Sequence, residues 1–161
     1  MFKSLLKHEK LQYIYAPMNG RILSLKDVPD PVFSQKMMGE GVAIYPTDGK
    51  VYAPISGKIV QVPSTKHAIG MVSKEGIEVL IHIGLETVSL GGKGFTMKVQ
   101  TNERVRVGQC LMDVDLHYIC HYAQSIITPI VITNSMDRQE KWVHTKKTVG
   151  KAGKTIILKA I

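Results

Sequence analysis

Short apolar runs rich in Val and Ile, each broken by Gly or Pro, recur along this chain of 161 residues. Runs of this length, bounded by turn residues at intervals of roughly eight to twelve positions, are typical of β-strands in antiparallel sheets. The predicted strands are VAIYP (42–46), KVYAP (50–54), KIVQV (58–62), VLIHI (79–83), CLMDVDL (110–116), PIVIT (129–133) and TIILKAI (155–161). No long helix is predicted, and residues 117–124 have the pattern of one or two helical turns. We therefore predict an all-β fold, an antiparallel β-sandwich or barrel with little helix.

One part of this pattern occurs twice. APMNGRILSL at 16–25 matches APISGKIVQV at 53–62, with Ala-Pro, a two-residue spacer, Gly, a basic residue and Ile in the same order. Two copies are too few for a solenoid. The Pro and Gly of each copy are expected to mark the start of a strand and a bend in the chain. The repeat predicts a sandwich built from two related halves.

Two histidines lie in a stretch, 65–84, that otherwise has the pattern of a β-hairpin. The runs HAIGMVS and GIEVLIHI flank Lys74 and Glu75, which predicts strand, turn and strand. With the turn centred between those two residues, His67 lies directly opposite His82, and their Cβ atoms are about 4.5–5.5 Å apart. A register shifted by one residue would put the imidazoles on different faces, so the pairing depends on the turn.

The same register pairs Ile69 with Leu80 and puts both on the face of the two histidines. A histidine at a strand end can be purely structural, held by hydrogen bonds. Two imidazolium ions side by side repel each other, however, so at least one ring is expected to be neutral near pH 7. A neutral imidazole can act as a nucleophile or as a metal ligand. The residues alone leave these roles open.

The composition is that of one globular domain, with 44% hydrophobic and 21% charged residues. We assign a flexible N-terminal segment to residues 1–12 and a single domain to residues 13–161.

The sequence has no pattern of a membrane or secreted protein. The apolar runs are too short to cross a bilayer, which takes about 18 residues or more. The first residues lack the apolar centre of a secretory signal, and Cys110 and Cys120 are expected to be reduced thiols. We therefore expect a cytoplasmic protein.

The positive charge is concentrated near the end of the chain. The formal net charge is +8, and residues 138–161 contain seven Lys or Arg and one Glu, a net charge of +6. A basic region can bind nucleic acid or an anionic surface. The chain has three Phe and one Trp and no motif in which basic and aromatic residues alternate. We therefore predict a solvated basic surface and no nucleic-acid partner.

The first ten residues have a weak amphipathic pattern. Phe2, Leu5 and Leu6 recur at helical spacing between lysines. Such a segment can rest on anionic lipid, which would bring the protein to the inner face of the membrane. A frayed terminus explains the same pattern equally well.

A second group of possible metal ligands lies in the predicted helical turns. His117, Cys120 and His121 are close in sequence, but no second cluster completes a four-ligand site. We do not assign a structural metal to them.

Several longer segments resemble the glucose-type IIA component of the bacterial phosphoenolpyruvate-dependent sugar phosphotransferase system. The most specific is VLIHIGLETVSLGGKGF (79–95). The other matching segments, in the family's order, are DVPDPVFSQKMMGEGVAI (27–44), APISGKI (53–59), TKHAIG (65–70), RVRVGQ (104–109), DVDL (113–116) and TPIVITN (128–134). The resemblance covers about three quarters of the chain. It implies a β-sandwich with a duplicated half and no cofactor. Because the chain starts at Met1 and its ends lie close to the matched unit, we expect a free-standing protein and not a fragment.

The resemblance also implies a role for each histidine. His82 would accept a phosphoryl group from the phosphocarrier HPr and pass it to a cysteine of a IIB domain. His67 matches the assisting histidine, and Thr65 the hydroxyl that orients it. A carbonyl of the segment 83–84 would hold the second ring nitrogen of His82 and so fix its tautomer.

The surroundings of the pair are also implied by the resemblance. Four apolar residues are expected to keep water from the phosphohistidine, namely Phe33, Val42, Ile69 and Leu80. Asp30 and Glu86 match an acidic rim that meets basic residues of HPr. The family usually has Asp at the position of Glu86, so the charge is kept and the reach differs. We expect the basic region 138–161 to lie on another side of the molecule.

Two alternatives belong to other functional classes. A zinc hydrolase of similar two-half architecture would need H-x-x-x-D and H-x-H ligand sets. Met71 stands where the first set needs its Asp, and Gly84 where the second needs its His. Without these ligands, His67 and His82 could bind zinc only adventitiously, and the proposed function requires no metal. A regulatory binding module without phosphotransfer is the other alternative, which the presence of both histidines and Thr65 opposes.

Overall fold

The computed structural model of the protein describes residues 11–161. This part contains fourteen strands, two short α-helices and three 3-10 helices of three residues each, Leu25–Asp27, Val88–Leu90 and Ser135–Asp137. The strands are β1 (Tyr13–Tyr15), β2 (Gly20–Ser24), β3 (Glu40–Pro46), β4 (Lys50–Tyr52), β5 (Gly57–Gln61), β6 (Ala68–Ser73), β7 (Glu78–His82), β8 (Phe95–Met97), β9 (Arg104–Val105), β10 (Cys110–Val114), β11 (Thr128–Ile132), β12 (Trp142–His144), β13 (Val149–Gly150) and β14 (Ile156–Ala160). The α-helices are α1 (Pro31–Ser34) and α2 (Leu116–Tyr122). Each run predicted as a strand overlaps a strand, and α2 overlaps the predicted helical turns.

All strand pairs are antiparallel, and the strands form three sheets. The large sheet has eight strands in the order β13-β2-β3-β11-β7-β6-β5-β9. Two small sheets have the orders β1-β14-β12 and β4-β10-β8. The prediction of an antiparallel all-β sandwich with little helix is confirmed.

Two apolar clusters lie on opposite faces of the large sheet. The larger cluster joins one face of this sheet, through side chains such as Ile44, Ile81 and Ile130, to the two small sheets. The smaller cluster lies on the other face, which we call the outer face. Its buried members are Leu25, Val28, Phe33, Ala43, Leu85 and Val131. Helix α1 and the segment after β7 therefore pack onto the sheet from outside.

The two Ala-Pro copies interlock. The Tyr15 N–H donates to the Pro54 carbonyl at 2.9 Å, and the Tyr52 N–H donates to the Pro17 carbonyl at 2.8 Å. Each copy then leads into a strand, β2 or β5, that begins at its glycine. A Cβ atom on Gly57 would lie 2.1 Å from a backbone oxygen of the neighbouring strand, so the close strand approach requires glycine. The two related segments predicted from the repeat therefore contact each other through reciprocal backbone hydrogen bonds.

The predicted register of the β6–β7 hairpin is wrong by one residue. Ala68, and not His67, pairs with His82, and Gly70, not Ile69, pairs with Leu80. The loop is one residue longer than assumed, because Gly76 has a positive φ of 88° and the hairpin closes around three residues. A three-residue hairpin loop with a glycine in the left-handed region is a common alternative to a two-residue turn.

The N-terminal boundary is defined only in part. The Ala160 N–H donates to the Gln12 carbonyl at 2.9 Å, so the ladder of β14 reaches residue 12. The amphipathic pattern predicted for residues 1–10 lies outside the described residues. None of the helices within residues 11–161 has the length and apolarity that a membrane crossing requires.

Candidate functional site

His82 is the last residue of β7, one of the central strands of the large sheet. Side chains alternate between the two faces of a strand, so His82 shares the outer face with Leu80. Leu80 packs against the smaller apolar cluster, whereas Ile81 belongs to the larger one. The imidazole therefore lies at the edge of the outer cluster, partly buried.

A backbone carbonyl fixes the tautomer of His82. Its Nδ1 lies 2.8 Å from the Gly84 oxygen. A carbonyl oxygen can only accept, so Nδ1 carries the proton and Nε2 keeps its lone pair. The chain can turn its carbonyl back to the ring because Gly84 has a φ of 70°. The carbonyl predicted to hold this nitrogen is thereby identified as that of Gly84.

His67 lies beside His82 although the two are not paired in the ladder. It precedes β6, at a bend where Lys66 has a φ of 57°. The Ile83 N–H donates to the His67 carbonyl at 2.7 Å, which keeps the two strand ends together. The ring centroids of His67 and His82 are 5.1 Å apart and the rings are nearly perpendicular, at 76°. The bend thus brings together two rings that a regular strand would separate.

Thr65 contacts the second ring. Its Oγ1 lies 2.6 Å from Nδ1 of His67. The hydroxyl can donate to an unprotonated Nδ1 or accept from a protonated one, and either bond holds the ring in one orientation. The contact predicted between Thr65 and His67 is therefore present.

Two of the four apolar residues predicted around the pair are in place. Phe33 is 4% exposed, and its ring centroid lies 5.1 Å from that of His82. Leu80 lies on the same face, two residues before His82. Val42 and Ile69 are in the larger core on the opposite face, 2% and 0% exposed. The expectation that they surround the histidines is wrong, because the corrected register turns Ile69 inward and Val42 pairs with the inward-facing Ile130.

Two carboxylates lie close enough to affect His82. Asp30 caps α1, where its Oδ1 accepts from the Val32 N–H at 3.0 Å. Glu86 follows the Gly84 turn and has a φ of 58°. Both negative charges act to raise the pKa of His82. The predicted acidic rim therefore borders the imidazole.

Burial nevertheless governs the charge of both rings. It lowers the pKa of His82 below the ordinary value, against the opposing effects of the Gly84 carbonyl, Asp30 and Glu86. Burial also lowers the pKa of His67, and the neighbouring His82 lowers it further. The lowered pKa values favour the neutral form of both imidazoles at pH 7, whereas the argument from mutual repulsion required at least one neutral ring. The site offers a free Nε2 lone pair on His82 with a second imidazole beside it.

Comparison with known proteins bears directly on this arrangement. A family model described as phosphoenolpyruvate-dependent sugar phosphotransferase system, EIIA 1, matches residues 12–138. The chain belongs to this family. A glucose-specific EIIA component from Halalkalibacterium halodurans is 49% identical over 147 residues, which cover 91% of this chain and 84% of that protein. The solved glucose permease IIA from Mycoplasma capricolum matches with a TM-score of 0.85 and 37% identity, over 93% of this chain and 96% of that one.

Longer relatives contain the same unit. A glucose-specific EIICBA component from Staphylococcus saprophyticus is 54% identical over 126 residues, which are 78% of this chain and 19% of that protein. The EIIA protein described here is thus a phosphocarrier of the phosphotransferase system that works through a phosphohistidine. The predictions of family, function and phosphotransferase class are confirmed.

The zinc-hydrolase alternative finds no support in this EIIA protein. Residues 11–161 contain no group of three or more His, Cys, Asp and Glu side chains that could hold a metal ion. His117, Cys120 and His121 lie on or beside the exposed side of α2, and Cys110 and Cys120 are free thiols. The comparisons give no hydrolase among the relatives described above.

Sequence reasoning missed one residue that supports the EIIA site. Thr87 is completely buried, and its hydroxyl donates to the Ile83 carbonyl at 2.6 Å. The Leu85 N–H donates to the Ser125 carbonyl at 2.9 Å from the other side. These two bonds fix the turn that presents the Gly84 carbonyl to His82. The available signal was weak, because Thr87 lies between Glu86 and Val88, five residues after His82, in a segment with no apolar periodicity.

We expect the phosphorylation rate of this EIIA protein to be constant from pH 8 down to about pH 6.5 and to fall below it, because the pKa of His82 lies below the ordinary value of about 6.5. The same lowered pKa makes the protein lose stability as the pH falls below about 6.5, since the unfolded chain then binds protons first. NMR titration of the ring signals measures the pKa directly.

The matched variants for this titration are Asp30→Asn and Asp27→Asn. Asparagine keeps the helix cap, so Asp30→Asn removes only a charge that raises the pKa of His82. We expect the pKa to fall further in that variant and to stay unchanged in Asp27→Asn, whose exposed carboxylate is not among the groups acting on His82. An unchanged pKa in Asp30→Asn would contradict this account of the site.

Proposed function

We propose that His82 accepts the phosphoryl group on Nε2. The observation that carries the proposal is the 2.8 Å bond between its Nδ1 and the Gly84 carbonyl, which leaves Nε2 as the nucleophilic nitrogen. In the transfer, a bond forms between Nε2 and phosphorus while the bond between phosphorus and the donor breaks. The donor leaves with that electron pair. Such reactions need in-line placement and charge stabilisation more than covalent help.

His67 is proposed to hold the transferred group. When the Thr65 hydroxyl donates to Nδ1 of His67, the proton of that ring is on Nε2 and can be donated to a phosphoryl oxygen. The 5.1 Å separation of the rings leaves room for such a contact beside the phosphorylated nitrogen. Phe33 on the other side of His82 limits the access of water to the phosphohistidine.

The proposed donor is HPr, and the proposed acceptor is a cysteine of a IIB domain. The EIICBA relatives, which contain the EIIA unit as about a fifth of their length, support a IIB acceptor. We infer that the exchange takes place in the cytoplasm. Contact with the inner face of the membrane through residues 1–10 remains part of this proposal.

The direct test is to incubate the protein with phosphoenolpyruvate, Enzyme I and HPr and to locate the product by NMR. We expect one acid-labile, base-stable phosphoryl group, with coupling between phosphorus and Nε2 of His82. Coupling to Nδ1, or to either nitrogen of His67, would contradict the assignment. Failure of any phosphate to appear would favour the regulatory alternative.

His67→Gln is expected to accept phosphate at a rate within a few fold of the wild type but to pass it to IIB more slowly by roughly a hundredfold or more. Glutamine can supply one hydrogen bond in place of the imidazole but cannot carry a proton, and positioned proton transfer typically contributes about 10²–10⁴-fold. The measurement is rapid-quench transfer from the phosphorylated protein to a IIB domain.

Thr65 supplies the matched pair of variants for this experiment. Thr65→Ser keeps the hydroxyl that contacts His67, and Thr65→Val removes it with little change of shape. We expect the valine variant to slow transfer to IIB and the serine variant to transfer phosphate at the rate of the wild type.

A wild-type rate of transfer to IIB in His67→Gln would mean that this histidine has only a structural role.

We expect neutralisation of Asp30 and Glu86 to slow phosphorylation by HPr at low salt and to flatten its dependence on salt. Charges at the rim of an interface mainly set the association rate and its response to salt. The double variant Asp30→Asn, Glu86→Gln lowers the pKa of His82, so the imidazole stays neutral at pH 7 and the effect reports association. Transfer rates measured between low and physiological salt provide the readout.

Lysines of the basic region serve as the control. Lys146, Lys147 and Lys151 flank β13, which is four strands from β7 in the large sheet, roughly 19 Å along the sheet at about 4.8 Å per strand. Charges farther apart than about 8–10 Å are largely screened at cellular salt. Replacing the three lysines by glutamine should therefore change the rate little. A strong acceleration would mean that the basic region borders the partner surface.

A further inference from the structure

A basic cleft lies at the edge of the large sheet, where β5 pairs with β6 and with the edge strand β9. Its volume is about 670 Å³, within the range of small-molecule sites. Four cationic side chains line it, namely Lys58, Lys74, Arg104 and Arg106. The lining residues include no carboxylate. We call this feature the β5–β9 cleft.

The cations of the cleft have no acidic partners within residues 11–161. The ion pairs of this part of the chain use other cations, namely Lys36, Lys50, Lys98, Arg138 and His144. Lys58 lies directly opposite Arg104 in the β5–β9 ladder, so their Cβ atoms are about 4.5–5.5 Å apart. Like charges in this position destabilise a sheet. An anion bound between them would remove that repulsion.

A neutral donor adds to the cleft. The Ser56 hydroxyl oxygen accepts from the Val107 N–H at 3.0 Å, so this exposed serine keeps its own O–H as a donor in a position fixed by a backbone bond. Ser73 also lines the cleft, but it is 8% exposed and follows Val72 in β6, so its side chain lies on the core face of the sheet. Gly57 lines the cleft as well and adds no side chain to fill it. One hydroxyl donor among four cations suits an anion with several acceptor oxygens.

We propose that the β5–β9 cleft binds a phosphate group with two or more negative charges, carried by a small molecule or a lipid headgroup. The guanidinium groups of Arg104 and Arg106 can each form paired hydrogen bonds with phosphate oxygens, and Lys58 and Lys74 add point charges.

The site is separate from the proposed phosphorylation site. Along β6, Val72 is paired with Lys58 of the cleft and Ala68 is paired with His82. These two positions of β6 are four residues apart, which is about 13 Å along the strand.

The test is a calorimetric titration of the full chain with pyrophosphate at low and physiological salt, followed by amide NMR shifts. We expect saturable binding, with shifts at Ser56, Val72 and Arg104 and not at His82. The double variant Lys58→Gln, Arg104→Gln should bind at least about tenfold more weakly, since each charge-assisted contact contributes about a factor of ten or more.

The control is Lys146→Gln, Lys147→Gln, which removes the same charge from an exposed segment beyond β12. It should bind pyrophosphate like the wild type.

A second arm distinguishes the source of the phosphate. Co-sedimentation with phosphatidylcholine vesicles that contain phosphatidylglycerol or phosphatidic acid is measured for the same three proteins. If the Lys58→Gln, Arg104→Gln variant loses vesicle binding and the Lys146→Gln, Lys147→Gln variant does not, the result supports the proposal with a lipid headgroup as the source of the phosphate. If the first variant loses pyrophosphate binding and the second does not, the result supports the proposal with a free phosphate compound.

If neither probe binds, or if the two variants bind both probes equally, the proposal is wrong. The cations would then only protect an exposed sheet edge from pairing with another chain.

Discussion

His82→Ala is expected to lose phosphorylation by HPr by roughly a thousandfold or more. The variant removes the only atom proposed to form the bond to phosphorus, and loss of a nucleophile is among the most severe changes in an enzyme site. The measurement is the amount of acid-labile, base-stable phosphate after incubation with phosphoenolpyruvate, Enzyme I and HPr. His82 is partly buried at a strand end, so we expect the variant to stay folded, which the dispersion of its amide NMR signals would check.

His117→Ala is the control for this experiment. It removes an exposed imidazole from α2, and the rate of phosphorylation should equal that of the wild type. Persistent labelling of His82→Ala would mean that another residue accepts the phosphoryl group, and His67 would be the first candidate because its ring is 5.1 Å away.

Gly84→Ala is expected to lower the free energy of unfolding by about 2–3 kcal/mol and to slow phosphorylation at least tenfold. A methyl group at this position would lie 2.7 Å from the Ser125 oxygen and 2.7 Å from Cγ2 of Thr87. Because the φ of 70° is also unfavourable for alanine, the turn must move. Its movement displaces the carbonyl that holds Nδ1 of His82. Urea unfolding and the transfer rate from HPr measure the two effects.

Gly91→Ala separates crowding from backbone strain. Gly91 also has a positive φ, of 61°, but a methyl group there would meet no atom within 4 Å. We expect this variant to lose about 1–2 kcal/mol and to accept phosphate normally. Equal losses of stability and rate in the two variants would show that contacts with Ser125 and Thr87 are unimportant.

The long apolar strands were predictable from sequence, whereas most of the short ones, such as β9 and β13, were not. The runs around β3, β7 and β11 are rich in Val and Ile because these strands lie in the centre of the large sheet. By contrast, β9 and β13 have two residues each and lie at its two edges. An edge strand is only partly buried, so its sequence is not constrained to be apolar. Helix α1, with four residues, is too short for a helical period to be recognised.

The histidine pair was predicted correctly from an incorrect register. Lys74 and Glu75 looked like the centre of a two-residue turn, whereas Gly76 makes the loop one residue longer. A one-residue error exchanges the faces of a strand. The rings meet all the same, because His67 precedes the ladder at the Lys66 bend. Only the three-dimensional path of the chain could reveal that bend, since a positive φ at lysine has no sequence signature.

The error over Val42 and Ile69 has a different origin. Strands in the centre of this sheet are covered on both faces, so apolar residues occur at successive positions. The alternation that normally distinguishes inside from outside is then lost. Phe33 and Leu80 could be assigned to the site, but their neighbours could not be told apart from core residues by sequence pattern.

The exchange of hydrogen bonds between the two Ala-Pro segments limits how the molecule can come apart. Each half donates one backbone N–H and accepts another, through Tyr15 and Pro54 on one side and Tyr52 and Pro17 on the other. This reciprocal contact has the form made by two subunits related by a twofold axis. The chain thus contains, within one polypeptide, the equivalent of a dimer interface. Neither half has its full set of backbone partners alone, so opening one half weakens the other, and the two should unfold together as one cooperative unit.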